Sequence, residues 1–384
     1  MKILILNYEY PPLGGGAGVV SKYHAEGLAR LGHQITVLST WFEGEKTYDE
    51  SGNLRIFKLK SKRRYIYKSS PLEWLSWIRK SKKFLSKHLV ENSYDFCFAH
   101  FALPGGEVAR FSLKKFNLPY AIVSHGQDIP WFFPKQMFKY HLLTYLWIKK
   151  ICENADKLIL LTDAMKQNAD RFMSSEKHKN VVIPNGCETK NFFPDYNKRE
   201  AVLKILFVGR LVSQKDPFTF LKALKLIKEK DISDFKVHIL GNGPLKEKMN
   251  RYIIKNKLDS CVHLKGWVSK EEILEEYQSA HLQVISSKAE AMSIAALESL
   301  SAGVYLISTP VSGNTDIITD KISGEFFEFQ NSQQLAQKIM DFKVDKFKVN
   351  YRVPDQSLIN FKTKYDWSNI VSQLEAIISV KASV

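Results

Sequence analysis

The stretch Leu282–Gly303, LQVISSKAEAMSIAALESLSAG, decides how this chain is read. Leu282-Gln283-Val284-Ile285-Ser286 has the apolar character of a short buried strand. From Ile294 to Ala302 helix-favouring residues run up to Gly303, a natural left-handed stop. Ser293 is placed to cap that helix, its hydroxyl accepting an amide of the first turn. The amides around Met292, Ser293 and Ile294 then face the turn after the strand, where a diphosphate could sit. Two carboxylates bracket this spot, Glu290 in the turn and Glu298 inside the helix. Each can accept two hydrogen bonds from sugar or ribose hydroxyls. A solvated glutamate pair on a surface helix has the same spacing, so the strand–turn–helix setting carries the weight.

Around this stretch the C-terminal half repeats one design. The strand Ile205–Val208 runs into Gly209-Arg210-Leu211-Val212-Ser213-Gln214-Lys215. Arg210 as a planar fork and Lys215 as a point charge suit a diphosphate at a strand edge. Lys236–Leu240 leads into Gly241-Asn242-Gly243-Pro244 and another open helix N-terminus. Cys261–Leu264 and Tyr305–Ser308 are further strands, the latter ending at Thr309-Pro310-Val311-Ser312-Gly313. Trp367–Ile378 reads as an amphipathic terminal helix.

The N-terminal half has the same grammar. Lys2–Leu6 is a strand, YEYPPLGGGAG a loop, Val19–Leu31 a helix and Gln34–Ser39 the next strand, which makes a βαβ unit. Gly14, Gly15, Gly16 and Gly18 let a ligand approach the backbone closely. Their spacing is not G-x-G-x-x-G, so a nicotinamide dinucleotide fingerprint is not supported. Asp95–Ala99 and Tyr120–Ser124 are strands separated by a helix over Pro104–Phe116. The second ends on His125-Gly126-Gln127-Asp128, where a histidine on a strand-end loop is well placed for function. His100 is a weaker copy of that case. Lys157–Thr162 and Val181–Ile183 complete the sheet before the turn Pro184-Asn185-Gly186.

At 384 residues two domains are expected, and the fold class is α/β. Polar Asp195–Lys204 is the linker candidate, giving domains 1–194 and 195–365, with 366–384 returning to the first. Cys97, Cys152, Cys187 and Cys261 form no CxxC pair, which fits a reducing cytoplasm. The opening apolar run, Ile3–Leu6, is too short for a signal peptide, and no eighteen-residue apolar stretch exists. A cytoplasmic location follows as the expectation, with peripheral membrane contact as an option.

The net charge of +16 is concentrated. Residues 55–92 carry twelve basic side chains against Glu73 and Glu91, which is ten of the sixteen net charges. Within them Trp74, Trp77, Ile78, Leu85 and Leu89 fall on one helical stripe, with Lys80, Lys83 and Lys87 opposite. This is either a core-facing helix with a solvated basic face or an interfacial helix on anionic lipid. Pro130–Lys150 is aromatic and basic, an acceptor-side surface or plain core. No RNP or helix-turn-helix pattern accompanies the charge, so no nucleic-acid partner is expected.

Taken together, these motifs resemble the retaining nucleotide-sugar glycosyltransferases of family 4, which have the GT-B fold. The resemblance runs through Gly15-Gly16 before a helix ending at Gly32-His33, His125-Gly126, Ile183-Pro184-Asn185-Gly186 and Val208-Gly209-Arg210-Leu211 with Lys215. It continues in Leu240-Gly241-Asn242-Gly243-Pro244, the Glu290/Glu298 pair and Tyr365-Asp366-Trp367. It implies two doubly wound Rossmann-like domains facing each other across a cleft, acceptor on the first and nucleotide sugar on the second. It assigns Arg210 and Lys215 to the donor diphosphate, Glu298 to the ribose and Glu290 to the transferred sugar. His125 goes to the sugar–phosphate region and Gly15-Gly16 to the loop over the phosphates. Gly209, Gly241, Met292, Ser293 and Ile294 join the substrate-binding set. Where the family usually reads Gly-Phe-Gly, this chain has Ala291-Met292-Ser293. Ser312-Gly313 stands for Gly-Gly, and Asp316 lies near an expected Glu.

The chemistry expected is glycosyl transfer to a hydroxyl of a glycan or lipid-linked acceptor in surface polysaccharide or glycolipid synthesis. No cofactor is expected beyond the nucleotide-sugar co-substrate, and with no Asp-x-Asp pair in the sequence no metal is expected either. Retention resembles front-face attack, in which the departing phosphate takes the acceptor proton. A GT-B nucleotide-sugar epimerase or hydrolase shares the architecture, and a non-catalytic membrane-associated binding subunit is the competitor from another class.

Overall fold

The structure, a computed structural model, describes residues 1–66, 69–230 and 234–382, the side chains of 134–136 and 380–382 left aside. It divides into two units, Met1–Asn185 with the segment from Trp367 onward, and Gly186–Asp366.

Among the described residues the first unit is built on eight strands. They are β1 (Lys2–Leu6), β2 (Gln34–Thr40), β3 (Tyr48–Ser51), β4 (Leu54–Leu59), β5 (Phe96–His100), β6 (Tyr120–Val123), β7 (Lys157–Leu160) and β8 (Asn180–Val182). Their spatial order is β3-β4-β2-β1-β5-β6-β7-β8, parallel throughout except between β3 and β4. Because β2 and β5 flank β1 on opposite sides, the strand order reverses there, and the loops after β1 and β5 diverge at a natural binding crevice. Ile3 to Leu6 are fully buried, as a strand covered on both faces requires.

The hairpin β3–β4 escaped the sequence reading. Ser51 pairs with Leu54 around Gly52-Asn53, a two-residue turn with Gly52 at φ 55°. Gly-Asn between two short runs is the signal that would have found it.

Four helices follow the strands used below: α1 (Gly16–Arg30), α2 (Pro71–Glu91), α3 (Glu107–Phe116) and α4 (Pro134–Asn154). The terminal helix, Trp367–Ala382, packs on α1. A side chain at Gly27 would meet Val371 Cγ2 at 2.3 Å, so glycine permits that approach. Tyr23 stacks on Trp367 with ring centroids 4.7 Å apart, and His33 Nε2 lies 3.1 Å from Glu375 Oε1.

The apolar stripe of α2 faces the core, which corrects the interfacial reading of residues 55–92. Trp77 and Leu85 are fully buried and Ile78 nearly so. Trp74 is half-buried, its indole N–H donated to Ser69 Oγ at 2.7 Å. Turning Trp77 and Leu85 outward would cost about 2–3 kcal/mol each in lost burial, so core packing wins. Lys80, Lys83 and Lys87 are the solvated face. Arg63 points inward instead, its guanidinium 4.8 Å over the Tyr8 ring and 3.4 Å from Glu9 Oε1. Lys68 lies outside the described residues.

Among the described residues the second unit carries six strands, all parallel: β9 (Leu203–Val208), β10 (Phe235–Leu240), β11 (Val262–Gly266), β12 (Leu282–Ile285), β13 (Tyr305–Ser308) and β14 (Gly324–Phe326). Their order is β11-β10-β9-β12-β13-β14, so the reversal falls between β9 and β12. The unit begins earlier than residue 195. Phe192 is buried against Tyr277, and Gln278 Nε2 donates to the Phe193 carbonyl at 3.2 Å, which ties 186–194 to this unit.

Candidate active site

In the second unit the loops after β9 and β12 leave the sheet side by side. Gly209 has φ 145° and Gly241, at the end of β10, φ 134°, a region that favours glycine. A Cβ on Gly241 would lie 2.0 Å from the Gly209 carbonyl oxygen, so these two turns touch backbone to backbone. Above Gly209 runs the Lys215 side chain, its Cε 3.4 Å from where a Cβ would stand. Its ammonium ion-pairs with Glu290 Oε1. Ser287 Oγ donates to the same oxygen at 2.7 Å, leaving Oε2 unpartnered among the described residues. Gln214 Nε2 donates to the Ala289 carbonyl at 2.8 Å, and the Lys288 amide to the Gln214 carbonyl at 2.8 Å. These bonds stitch the two loops into one rim, with Arg210 exposed at its head.

Ser293 does open the helix α5 of this rim (Ile294–Ser301), but its hydroxyl caps nothing. Its backbone carbonyl accepts from the amides of Ala296 and Leu297 at 3.1 Å each, which closes the first turn without the side chain. The amides of Ile294 and Ala295 stay outside the helical ladder, as at the start of any helix. Met292 and Ser293 are buried, while Ile294 is half-buried. Gly313 underlies this turn, where a Cβ would come within 2.4 Å of Met292 Cα and 2.3 Å of the Ala291 carbonyl oxygen.

Glu298 lies one turn further along the helix and is half-buried. Tyr277 donates its hydroxyl to Glu298 Oε2 at 3.3 Å. Burial pushes the carboxyl up to about 8, against the lowering effect of the Tyr277 bond, with Glu188 raising it further and Lys270 lowering it. Such a carboxyl is mostly neutral at pH 7, so it offers one donor and one acceptor to paired hydroxyls.

In the first unit the switch-point loops are organised by Asp128. Its Oδ1 accepts from Ser124 Oγ at 2.9 Å and from the His125 amide at 3.0 Å, and its Oδ2 from the Ala102 amide at 2.9 Å. One buried carboxylate thereby joins the loops after β5 and β6. His125 Nε2 lies 3.0 Å from His100 Nδ1, so one ring donates and the other accepts. Burial pushes His125 down to about 3, and His100 well below the usual range. His125 is therefore a neutral hydrogen-bonding group here, not a cation. Gly15 caps α1 and Gly16 opens it. Gly14, at φ 87°, hydrogen-bonds its amide to the Ile66 carbonyl at 2.9 Å. Between these loops and α4 lies a small recess whose walls include Tyr8, Trp74, Phe101, Leu103 and Tyr140.

Sequence reasoning found the rim residues but not their supports. Ser287, Tyr277 and Asp128 carry no motif of their own. Of these, Tyr277 reaches Glu298 from a separate helix, Lys270–Ser279, that only the fold brings near.

Comparison with known proteins gives the family and the fold. The profile of "Glycosyltransferase Family 4" matches residues 14–191, and that of "Glycosyl transferases group 1" matches residues 188–353. An uncharacterized glycosyltransferase of Methanocaldococcus jannaschii is 24% identical over 97% of this chain and 96% of its own. The UDP-Gal:alpha-D-GlcNAc-diphosphoundecaprenol alpha-1,3-galactosyltransferase of Escherichia coli is 25% identical over 97% of this chain and 93% of its own. Among solved structures, sucrose-phosphate synthase from Thermosynechococcus elongatus superposes with a TM-score of 0.86 at 18% identity, covering 100% of both chains. Anabaena HepE in complex with UDP-glucose gives a TM-score of 0.73 at 15% identity, again over 100% of both. This chain belongs to the family 4 glycosyltransferases and carries their GT-B fold.

Proposed function

We propose that this glycosyltransferase moves a sugar from a nucleoside-diphosphate sugar to a hydroxyl of a lipid-linked or glycan acceptor, with retention at the anomeric carbon. The Lys215–Glu290 pair over Gly209, at the switch point of the second sheet, carries the reading. Arg210 and Lys215 take the diphosphate, together with the first-turn amides at Ser293 and Ile294. Gly209 and Gly241 let the nucleotide lie against backbone. Glu298 holds ribose hydroxyls, and the open oxygen of Glu290 takes a hydroxyl of the transferred sugar. The binding of UDP-glucose by HepE supports a nucleotide-sugar donor, and the name of the E. coli relative supports a diphospholipid-linked acceptor.

Cleaving the bond between the anomeric carbon and phosphate develops positive charge on the sugar and negative charge on the leaving diphosphate. Arg210, Lys215 and the helix N-terminus stabilise the latter as preorganised charge. The departing phosphate oxygen takes the acceptor proton on the same face, so no protein nucleophile and no metal is required.

A thermal-shift panel of UDP-, GDP-, ADP- and dTDP-sugars tests the donor, because a ligand that binds only the folded state raises its stability. One nucleotide class should raise the melting temperature of the wild type and raise it less in Lys215→Ala. NMR of the product reads the anomeric configuration. No response to any nucleotide sugar, or an inverted product, overturns the proposal.

A further inference from the structure

We infer that the outward face of α4 is a docking surface for an anionic lipid bilayer. Past an irregular step at Met137 (φ −124°, ψ 16°) the helix is regular. Phe138, Leu142 and Leu146 recur at four-residue intervals, with Leu143 beside them, so they share one face. They are 53%, 63%, 78% and 86% exposed in the order Phe138, Leu142, Leu146, Leu143. Trp131 extends the patch, held at φ 71° with its ring 5.6 Å from that of Phe138. The helix is not loosely attached. Ile148, Ile151 and Cys152 on its other side are fully buried, and Tyr140 packs against Trp74 at 5.5 Å.

An apolar face of this density on a well-anchored helix calls for an occupant. Lysine identifies it. Stepping 100° per residue, Lys139, Lys149 and Lys150 fall within the same arc as the leucines. Lys139 and Lys150 are exposed and Lys149 is half-buried; Glu153, the one acidic residue of the helix, is half-buried in the same arc at its last turn, so cations outnumber it three to one there. Lysine is depleted from the cores of protein interfaces. At a membrane surface, by contrast, its stem lies along apolar contacts while the ammonium reaches phosphate. The charge of +16 adds long-range attraction to an anionic leaflet. Among the described residues no helix is long and apolar enough to cross a membrane, so the contact is lateral. This moves lipid binding from α2, whose tryptophan and leucine are spent on the core, to α4. It holds whatever the acceptor is.

Co-sedimentation of the full chain with vesicles of phosphatidylcholine plus phosphatidylglycerol, and of phosphatidylcholine alone, tests it. The wild type should pellet with the anionic vesicles and stay in the supernatant with the neutral ones. Replacing Leu142, Leu143 and Leu146 together by Ser, all on solvated positions, should weaken binding about tenfold or more. Lys139→Glu with Lys150→Glu should weaken it too, whereas Lys80→Glu, Lys83→Glu and Lys87→Glu on α2 should keep most of the binding. Wild type left in the supernatant of anionic vesicles, or pelleting unchanged by the serine triple variant, overturns the inference. So does sedimentation velocity showing a dimer that the triple variant dissolves while vesicles bind neither protein. None of these readouts involves a nucleotide sugar, so failure here is distinct from failure of the transferase reading.

Discussion

Lys215 Nζ meets Glu290 Oε1 across the seam between the loops that leave β9 and β12, and Ser287 Oγ holds the same oxygen at 2.7 Å. The pair positions a cation and a hydroxyl acceptor on one rim. In the proposed reaction its members would have opposite tasks toward a nucleotide sugar: one neutralises the leaving group, the other orients the sugar. Removing either leaves its partner in place but unguided.

Lys215→Ala should lower kcat by about 10²-fold or more, in line with loss of one preorganised donor to developing negative charge. Arg210→Ala should act in the same direction. Both side chains lie on a loop, so melting temperatures should stay near wild type. Steady-state kinetics with the donor found in the thermal-shift panel checks this, and unchanged turnover in both variants would remove the diphosphate assignment.

Gly313→Ala should damage the donor site through backbone contact alone. Its Cβ would sit 2.3 Å from the Ala291 carbonyl oxygen and 2.4 Å from Met292 Cα, distances that force the turn to move. The turn carries the amides assigned to phosphate, so nucleotide affinity should fall. Titration calorimetry decides: affinity equal to wild type would show that the turn plays no part.

The rim was legible because glycine and paired charges at strand ends leave marks in the sequence. Gly209, Lys215 and Glu290 all stand where the pattern put them, beside the reversal between β9 and β12. Ser293 was placed correctly at its helix start, yet the hydroxyl role expected of it went to a backbone carbonyl. That is a rotamer choice, and no residue pattern encodes it. The stripe of α2 shows another limit. Tryptophan with lysine at helical spacing describes a core helix and a lipid-facing one equally well, and only the packing of Trp77 and Leu85 separates them. In α4 the packing leaves Leu142, Leu143 and Leu146 exposed instead.

Chelation should leave transfer largely intact if Arg210, Lys215 and the helix N-terminus do the work that a divalent ion does elsewhere. Activity measured with EDTA, then with added magnesium or manganese, checks this. Complete loss on chelation with recovery on adding metal would refute the metal-free route while leaving the donor assignment standing.

The proposed role of Glu298 would link donor recognition to pH. Its carboxyl is raised from 4.5 to about 8 by burial, so the folded protein binds more protons than the unfolded chain between those values. Stability from this group is therefore fully present below pH 4.5, declines as pH rises, and is lost above about 8. Glu298→Gln keeps the shape and removes the proton, so it abolishes this decline. The melting temperature of the variant relative to wild type should climb between pH 5 and pH 8, a window bounded by the two values of the carboxyl. Tyr277→Phe removes a hydrogen bond that favours the charged form, so the stability of that variant should go on declining to higher pH than that of the wild type. Nucleotide affinity supplies a second readout. A neutral carboxyl donates to one ribose hydroxyl and accepts from the other, whereas Gln at this position keeps both functions without a proton to lose. Wild-type affinity should vary with pH and that of Glu298→Gln should not. Parallel pH profiles for the two proteins, in melting and in affinity alike, would show that this carboxyl is already ionised at neutral pH.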